Sequence, residues 1–441
     1  MSKISMKEWL KRRSRTTKIF YLTNLALGIE YSLTFATLYV YLKDVLHVAD
    51  ENLNSFYSAI SGLYVFVQIL SSLILSKVFE QNRRLRLMFF IINVLTIIGN
   101  VLYTIPSSPY MLLAGRFISG AGGAIQPIMM SELAKSYSPD ELIDKLSPMA
   151  LSLALGLTLG PSINFAFVHA DFWFFGVHIV FANGSGLVLT FLFLMLLFIS
   201  IFFVSDLSRE YDLRDSTTNL KENSENLDIM KTTKALLTNI DIVLIFLFSF
   251  NLFLAYVTFD CWIPMVVVDV LQWEPREINS VLTGSGVVLI LVFLYISYKS
   301  PGKERLFQYT LLAFTGIGVC YGCFLYFSLK IENLKLNVGM WVLYTISVAS
   351  MQFMDIFFLD TLAEMVPSTM QAYSESVRIA CSRTGAVVGL FTAAFTFRYL
   401  YKYCLLCIIF NTLLFSIFIS RGKFFKEPSS IFLEITYAEI L

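Results

Sequence analysis

The sequence predicts an all-α membrane protein: twelve transmembrane helices in two six-helix bundles related by a pseudo-twofold. Three observations carry that expectation: an excess of apolar residues, their division into twelve windows of bilayer length, and a basic-residue bias that alternates between successive connections. Of 441 residues, 56% are apolar and 15% charged, with a mean hydropathy of +0.69. A spanning helix uses about 20 mainly apolar residues, so there is material for about twelve. A soluble chain of this length would divide into domains with a more charged surface, which sets the soluble-enzyme class aside. The formal net charge of +1, with no basic run away from membrane flanks, excludes a nucleic-acid binder.

The first six windows are residues 19–42, 53–76, 87–105, 110–134, 146–168 and 184–205. A stretch rich in Asp, Glu, Asn, Ser and Thr follows at 206–239. It has too little apolar content for a core and reads as a linker. Six more windows occupy 242–268, 278–298, 306–329, 338–359, 373–397 and 404–420. Backbone groups in lipid must bond internally, so segments of this length are helices; barrel strands would be about half as long and alternate in polarity. The expected organisation is a basic tail at 1–18, bundles at 19–205 and 240–420, the linker between them and a second tail at 421–441.

Lys and Arg set the orientation. Twenty-four lie in the two tails and in the connections on their side, against six on the other side (Lys43, Arg276, Lys330, Lys335, Arg398 and Lys402). The positive-inside rule then places both termini in the cytoplasm. The basic residues ahead of the first window make it a signal-anchor, with no small-residue cleavage site in view. The chain also repeats itself. Asp44-Val45-Leu46 and Leu53-Asn54-Ser55 recur as Asp269-Val270-Leu271 and Ile278-Asn279-Ser280, at an offset of 225, and Leu133-Ala134 recurs as Leu362-Ala363, at 229. Both echoes fall at equivalent windows, as two parallel six-helix repeats require. Transporters built this way bind solute near the midplane and rock to alternate access. The six cysteines all lie in apolar stretches, where CxxC spacing only places two small apolar side chains on one helix face; no metal is expected.

The fourth window reads Gly115-Arg116-Phe117-Ile118-Ser119-Gly120-Ala121-Gly122-Gly123-Ala124. It resembles the RxxxGxGxA signature of the major facilitator superfamily, with Arg116 in the place of that family's membrane-embedded arginine. Gly156-Leu157-Thr158-Leu159-Gly160-Pro161 is similar to the family's GxxxGP segment. Between the second and third windows the family's G-x-x-x-D-R-x-G-R is reduced to its basic end, Arg83-Arg84, without the glycine and aspartate. The segment from Tyr31 to Leu42, and the Pro367, Gln371-Ala372 turn leading to Gly385-Ala386-Val387-Val388-Gly389, resemble the lysosomal branch linked to neuronal ceroid lipofuscinosis; that branch's second Gly-Pro is Gly389-Leu390 here. The resemblance implies the superfamily's fold and transport of a small solute.

Ionisable groups inside spans cost about 2.5–3.5 kcal/mol each on insertion scales, so each is a functional candidate. Glu30 lies eleven residues into the first window, ~16 Å deep at 1.5 Å per residue. Arg116 is six residues into the fourth window from the other face, ~9 Å by the same rise. If both helices line one cavity, as the resemblance implies, the pair is a candidate for proton coupling or solute binding; the alternative is a strut that holds the bundle together. Asp260, beside Cys261 and Trp262, meets a cation or proton or else caps toward interfacial water. Asp355, Asp360, Arg378 and Arg383 read as gate ion pairs. Gly120, Gly122, Gly123, Gly156 and Gly160, with Pro161, read as helix-packing positions. Asn183-Gly184-Ser185 is a sequon abutting the sixth window, and Tyr437 with Ile440 fits an endosomal sorting tetrapeptide.

The expected function is secondary active transport of a small solute by alternating access, coupled to protons rather than sodium, by a monomer in the bilayer with no cofactor. No GxxxxGK[ST] is present, so ATP-driven transport has no support. The rival classes are a channel and a non-transporting scaffold. The expected location is the endolysosomal membrane, with the plasma membrane as alternative.

Overall fold

The computed structural model describes residues 5–137, 139–210, 236–265, 275–299, 302–329, 337–366 and 371–426. All twelve windows carry helix. In the first half these are α1 (Met6–Val40), α2 (Asp50–Asn82), α3 (Leu85–Thr104), α4 (Pro109–Gly122), α5 (Ile125–Ser136), α6 (Pro139–Asn164) and α7 (Phe181–Phe203). In the second half they are α8 (Ile240–Met265), α9 (Pro275–Lys299), α10 (Lys303–Leu329), α11 (Asn337–Met365), α12 (Gln371–Thr396) and α13 (Leu400–Ser420), followed by the short α14 (Gly422–Lys426). Among the described residues seven helices, namely α1, α2, α3, α7, α8, α10 and α13, are long and apolar enough to span a membrane on composition alone. The other spans carry what dilutes hydropathy: Pro148 and Pro161 inside α6, and Asp355, Asp360, Arg378 and Arg383 on α11 and α12.

Three local features depart from uniform spans. The fourth window breaks at Gly123–Ala124 into α4 and α5. A Cβ on Gly122 would lie 1.7 Å from Thr96 Oγ1, and Gln68 Nε2 donates to the Gly123 carbonyl at 3.0 Å; a side chain reaching into the ladder is a known cause of a break. Between α6 and α7 the chain forms a hairpin, β1 (Asp171–Phe174) antiparallel to β2 (Val177–Val180). Finally, α1 starts at Met6, thirteen residues before its apolar window, because its basic turns have partners. Arg12 pairs with Glu210 at 3.1 Å, Arg13 donates to the Ser136 carbonyl at 2.8 Å and Trp9 Nε1 donates to that of Leu207 at 3.3 Å. Arg86 joins the same collar through Asp206 at 2.9 Å and the Val204 carbonyl at 3.0 Å. The buried carboxylate of Glu132 accepts from Ser208 N and Oγ at 2.7 and 2.8 Å.

The chain forms two compact units, Met1–Leu220 with Gln272–Ile290, and Lys221–Leu271 with Leu291–Leu441. The first part of α9 belongs to the first unit, where Thr158 Oγ1 on α6 donates to the Gly286 carbonyl at 3.0 Å. Inside the first unit α1 packs on α6, and α3 on α4 and α7; inside the second α8 packs on α12, and α10 on α11 and α13. The correspondence reaches atoms. A Cβ on Gly156 would lie 2.2 Å from the Leu25 carbonyl oxygen, and one on Gly385 would lie 2.2 Å from that of Phe250. Leu25 and Phe250 are 225 apart and Gly156 and Gly385 229 apart, the same offsets as the sequence echoes.

Candidate functional site

Four helices of the first unit converge on one carboxylate. Glu30 on α1 has no exposed surface. Its Oε1 lies 3.8 Å from Arg116 Nη1 on α4 and accepts from Asn100 Nδ2 on α3 at 3.3 Å. Its Oε2 accepts from the Tyr64 hydroxyl on α2 at 3.4 Å. The Arg116 guanidinium stands over the Tyr64 ring, 4.0 Å from its centroid, a cation–π contact that counts for more when desolvated.

Glycines bring these side chains together. A Cβ on Gly120 would lie 2.5 Å from the Tyr64 carbonyl oxygen, so α4 crosses α2 at backbone contact one turn from Arg116. Gly99 and Gly115 face each other, with a Cβ on either falling within 2.8 Å of the other's carbonyl oxygen. This sets Asn100 and Arg116 side by side. Gly28 meets the Leu153 carbonyl, Gly156 meets Leu25, and Gly160 lies against Ser32 and Leu33, which fixes α1 against α6 around Glu30. Pro161 follows inside α6, which continues to Asn164, whose Nδ2 donates to the Leu33 carbonyl at 3.1 Å.

The site keeps unused hydrogen-bonding capacity. Arg116 Nη1 and Asn100 Oδ1 are buried and make no hydrogen bond among the described residues. Such groups are rare in native interiors and call for an explanation. One donor and one acceptor beside a carboxylate suit a polar solute group as well as a proton. Tyr64, Asn100, Gly99 and Gly115 were not anticipated from sequence. Asn100, a carboxamide within an apolar window, was the available signal; Tyr64 is one of 22 tyrosines and carried none.

The charges of the second unit are arranged differently. Arg378, nearly buried, contacts Asp355 Oδ1 at 2.5 Å and Glu375 Oε1 at 2.7 Å, so one guanidinium joins two carboxylates across α11 and α12. Glu375 was missed, although it lies one turn before Arg378. Asp360 lies five residues beyond Asp355, turned about 140° around the helix; it is exposed, one turn from Glu364, which pairs with Lys303. Arg383 lies half-buried on α12. Asp260 is buried on α8, next to Trp262, whose Nε1 donates to the Ala393 carbonyl at 3.0 Å. Asn183 is fully buried as well. Its Oδ1 accepts from Val180 N at 2.8 Å, and its Nδ2, the atom a glycan would occupy, donates to Thr104 and His178 carbonyls at 3.0 and 2.9 Å. This asparagine caps α7 instead of facing solvent. Tyr437 and Ile440 lie outside the described residues.

Arg378→Ala is expected to leave two carboxylates facing each other and to lower unfolding stability by about 3 kcal/mol, read as a fall in thermal midpoint in detergent. Arg378→Lys should recover part of this, since a point charge replaces a planar fork. An unchanged midpoint in the alanine variant would show that solvent already screens the pair.

The arrangement of the helices matches solved transporters. A D-xylose–proton symporter aligns at a TM-score of 0.64 and 13% identity, over 91% of this chain and 96% of that one. A peptide-bound POT family transporter aligns at 0.66 and 13%, over 93% and 96%. A nucleoside transporter aligns at 0.67 and 10%, over 92% and 99%. At these identities the likeness is one of fold. Residues 20–397 match the Major Facilitator Superfamily; with nearly the whole chain covered, its signature arginine held in a buried four-helix cluster and its helices arranged as in solved transporters, the protein belongs to that superfamily.

Proposed function

We propose that the protein is a proton-coupled secondary transporter that moves a small solute by alternating access, with Glu30 as the proton-carrying group and Arg116 as its partner. The observation that carries this reading is the buried carboxylate held at ion-pair distance from a guanidinium, with Asn100 and Tyr64 completing the site. Protonating Glu30 would remove one charge of the pair and release Arg116 toward the solute; deprotonation would draw it back. The first of the neighbouring structures is named as a proton symporter, which fits the same chemistry. A strut is the second reading, favoured by the complete burial of Glu30.

The test is uptake by proteoliposomes across a panel of sugars, amino acids, nucleosides, peptides and organic anions, with and without an imposed pH gradient. Stimulation of one class by inward protons, abolished by a protonophore and indifferent to sodium, is the expected result. Conductive flux that never accumulates solute would favour a channel, and no flux for any solute a scaffold. The basic collar at the start of α1 is proposed to face the cytoplasm, as are both termini. Terminal epitope tags should be stained once the plasma membrane alone is permeabilised, with organelle membranes left intact; staining from the extracellular side of intact cells, or only after organelle membranes are opened as well, would reverse the topology. Residence in the endolysosomal membrane is proposed from the branch resemblance and the Tyr437–Ile440 tetrapeptide.

A further inference from the structure

The hairpin between α6 and α7 concentrates aromatic side chains at the end of the first unit where α1 and α3 finish, the end at which Asn183 bonds Thr104 and Ser185 meets Thr37. Its sequence is Asp171-Phe172-Trp173-Phe174-Phe175-Gly176-Val177-His178-Ile179-Val180. Trp173 is 72% exposed and Phe175 93%. A soluble loop would pay to keep such surface in water.

The turn makes the choice of residue more pointed. Phe175 and Gly176 both have positive φ, 46° and 78°, as a two-residue type I′ hairpin turn requires. Asn-Gly or Asp-Gly is the favoured pair there, and a bulky aromatic in the left-handed region is an outlier. Backbone strain of this kind points to a position kept for its side chain, and the Phe175 ring, apart from an edge-on contact with the neighbouring Phe174 ring at 4.7 Å, stands clear of the protein.

The two faces of the hairpin differ. On one, Ile179 is fully buried and Phe174 packs edge-on against Phe191 of α7, ring centroids 6.0 Å apart. On the other, Trp173 stacks on its cross-strand partner His178 at 5.1 Å, and His178 Nε2 bonds Asp171 Oδ1 at 2.6 Å. Phe191 heads an exposed apolar row on α7 with Leu194, Met195, Phe198 and Phe202, at the spacing of one helix face. In a membrane-spanning helix that row faces lipid. Phe191 lies seven residues beyond Gly184, where the apolar window opens, hence ~10 Å along the helix. The hairpin therefore descends beside a lipid-facing surface instead of standing away from it. On the outward face of β1 and into the turn the order is charged Asp171, amphipathic Trp173, then apolar Phe175, spread over ~13 Å, while Phe172 and Phe174 lie on the face of buried Ile179. That is the polarity order met when passing from water through the interface, where Trp is enriched, into hydrocarbon.

We infer that the β1–β2 hairpin is a lipid anchor: Phe175 is inserted in the hydrocarbon edge of the leaflet, Trp173 sits at headgroup level, and the Asp171–His178 pair stays in water. The lipid-exposed row on α7, continuous with the hairpin through Phe174, is what identifies the bilayer as occupant.

The experiment uses the full chain in phosphatidylcholine vesicles, with a nitroxide on Phe175→Cys or, at a position of regular strand geometry, on Trp173→Cys. The signal of the chain without an added cysteine is subtracted. Accessibility to oxygen is compared with that to a water-soluble nickel chelate, using Phe198→Cys as lipid reference and free label as aqueous reference. The anchor predicts an oxygen-to-nickel ratio at 175 near the Phe198→Cys value, several-fold above free label, with 173 between the two. Adding Phe175→Asn, which suits the turn, should shift the 173 label toward nickel. The proposal is overturned if both labels behave as free label does, if both are shielded from oxygen and nickel alike (a protein partner or second copy covering them), or if Phe175→Asn leaves the 173 label unmoved.

Discussion

Glu30→Gln is expected to abolish accumulation of solute against its gradient while leaving folding and solute exchange in place. Glutamine keeps the shape of the side chain; its amide oxygen can still accept from Asn100, which bonds Glu30 Oε1 at 3.3 Å, and its amide nitrogen, in place of Oε2, can donate to the Tyr64 hydroxyl oxygen, 3.4 Å away in the wild type; the titratable charge is lost. One pH unit is worth 1.36 kcal/mol, about tenfold accumulation per coupled proton, so the variant should fall from about tenfold to about one under such a gradient. Two unit charges about 4 Å apart attract by ~4 kcal/mol at an effective dielectric of 20. Switching that attraction by protonation is comparable to the ~5.5 kcal/mol that carries a two-state equilibrium from 1:99 to 99:1. Arg116→Lys should impair accumulation nearly as much, because a compact ammonium reproduces neither the fork nor the 4.0 Å stacking on Tyr64.

The strut reading makes a different forecast. Removing one partner of a buried pair leaves the other uncompensated, at about 3–5 kcal/mol. A strut therefore predicts poor expression and polydispersity for Glu30→Gln, relieved when Arg116→Gln is added. A coupling site predicts a folded single variant without accumulation and a double variant that does not regain it. Wild-type accumulation by folded Glu30→Gln would eliminate the proton-site proposal.

The number and order of helices were legible because lipid imposes one simple demand, a stretch of about 20 mainly apolar residues per crossing; among the described residues seven helices meet it on composition alone, and the more polar windows were found by their length and by the alternation of basic flanks. Glu30 and Arg116 were legible for the converse reason, since a charge in such a stretch is conspicuous. What surrounds them was not. Tyr64 and Gly99 look like any lipid-facing tyrosine or packing glycine until the crossings of α2, α3 and α4 are known. The collar was hidden differently: Arg12, Arg13 and Arg15 satisfied the positive-inside count, which masked their bonds to Glu210, Ser136 and Phe203. The break after Gly122 and the hairpin at 171–180 depend on tertiary contacts, Thr96 and Gln68 in one case and Ile179 in the other. The backbone repeat, moreover, does not extend to its charges. At offsets of 225 and 229, Glu30 and Arg116 correspond to Ala255 and Thr345, and Asp355 and Arg378 to Gln126 and Met149. Equivalent frames thus hold ion pairs at non-equivalent positions, which an alternation of apolar windows cannot report.

Gly156→Ala and Gly385→Ala are expected to be as damaging as each other, and far more so than alanine at a helical glycine with open space beside it. In both cases the added Cβ would fall 2.2 Å from a carbonyl oxygen of the facing helix, Leu25 on α1 or Phe250 on α8. The clash is with backbone, so no rotamer change relieves it; the helices must move apart by more than an ångström, and α1–α6 or α8–α12 packing is lost along its length. Overpacking costs 1–3 kcal/mol when side chains can adjust, so about 3 kcal/mol or more is expected here, read as a large fall in thermal midpoint or loss of monodisperse protein. Gly322 on α10 is the control. A Cβ there meets nothing within 4 Å, so Gly322→Ala should be silent or stabilise by about 0.5–1 kcal/mol. Any Gly156→Ala protein that folds carries a second signature. The crossing that holds α1 at Gly28 and Ser32 flanks Glu30, so displacing α1 lengthens the 3.8 Å contact with Arg116 and should reduce proton-driven accumulation. Gly385→Ala, acting in the other unit, leaves that contact in place. Equal midpoints for Gly156→Ala, Gly385→Ala and Gly322→Ala would show that the two crossings are wider than backbone contact and that the glycines do not set the position of Glu30.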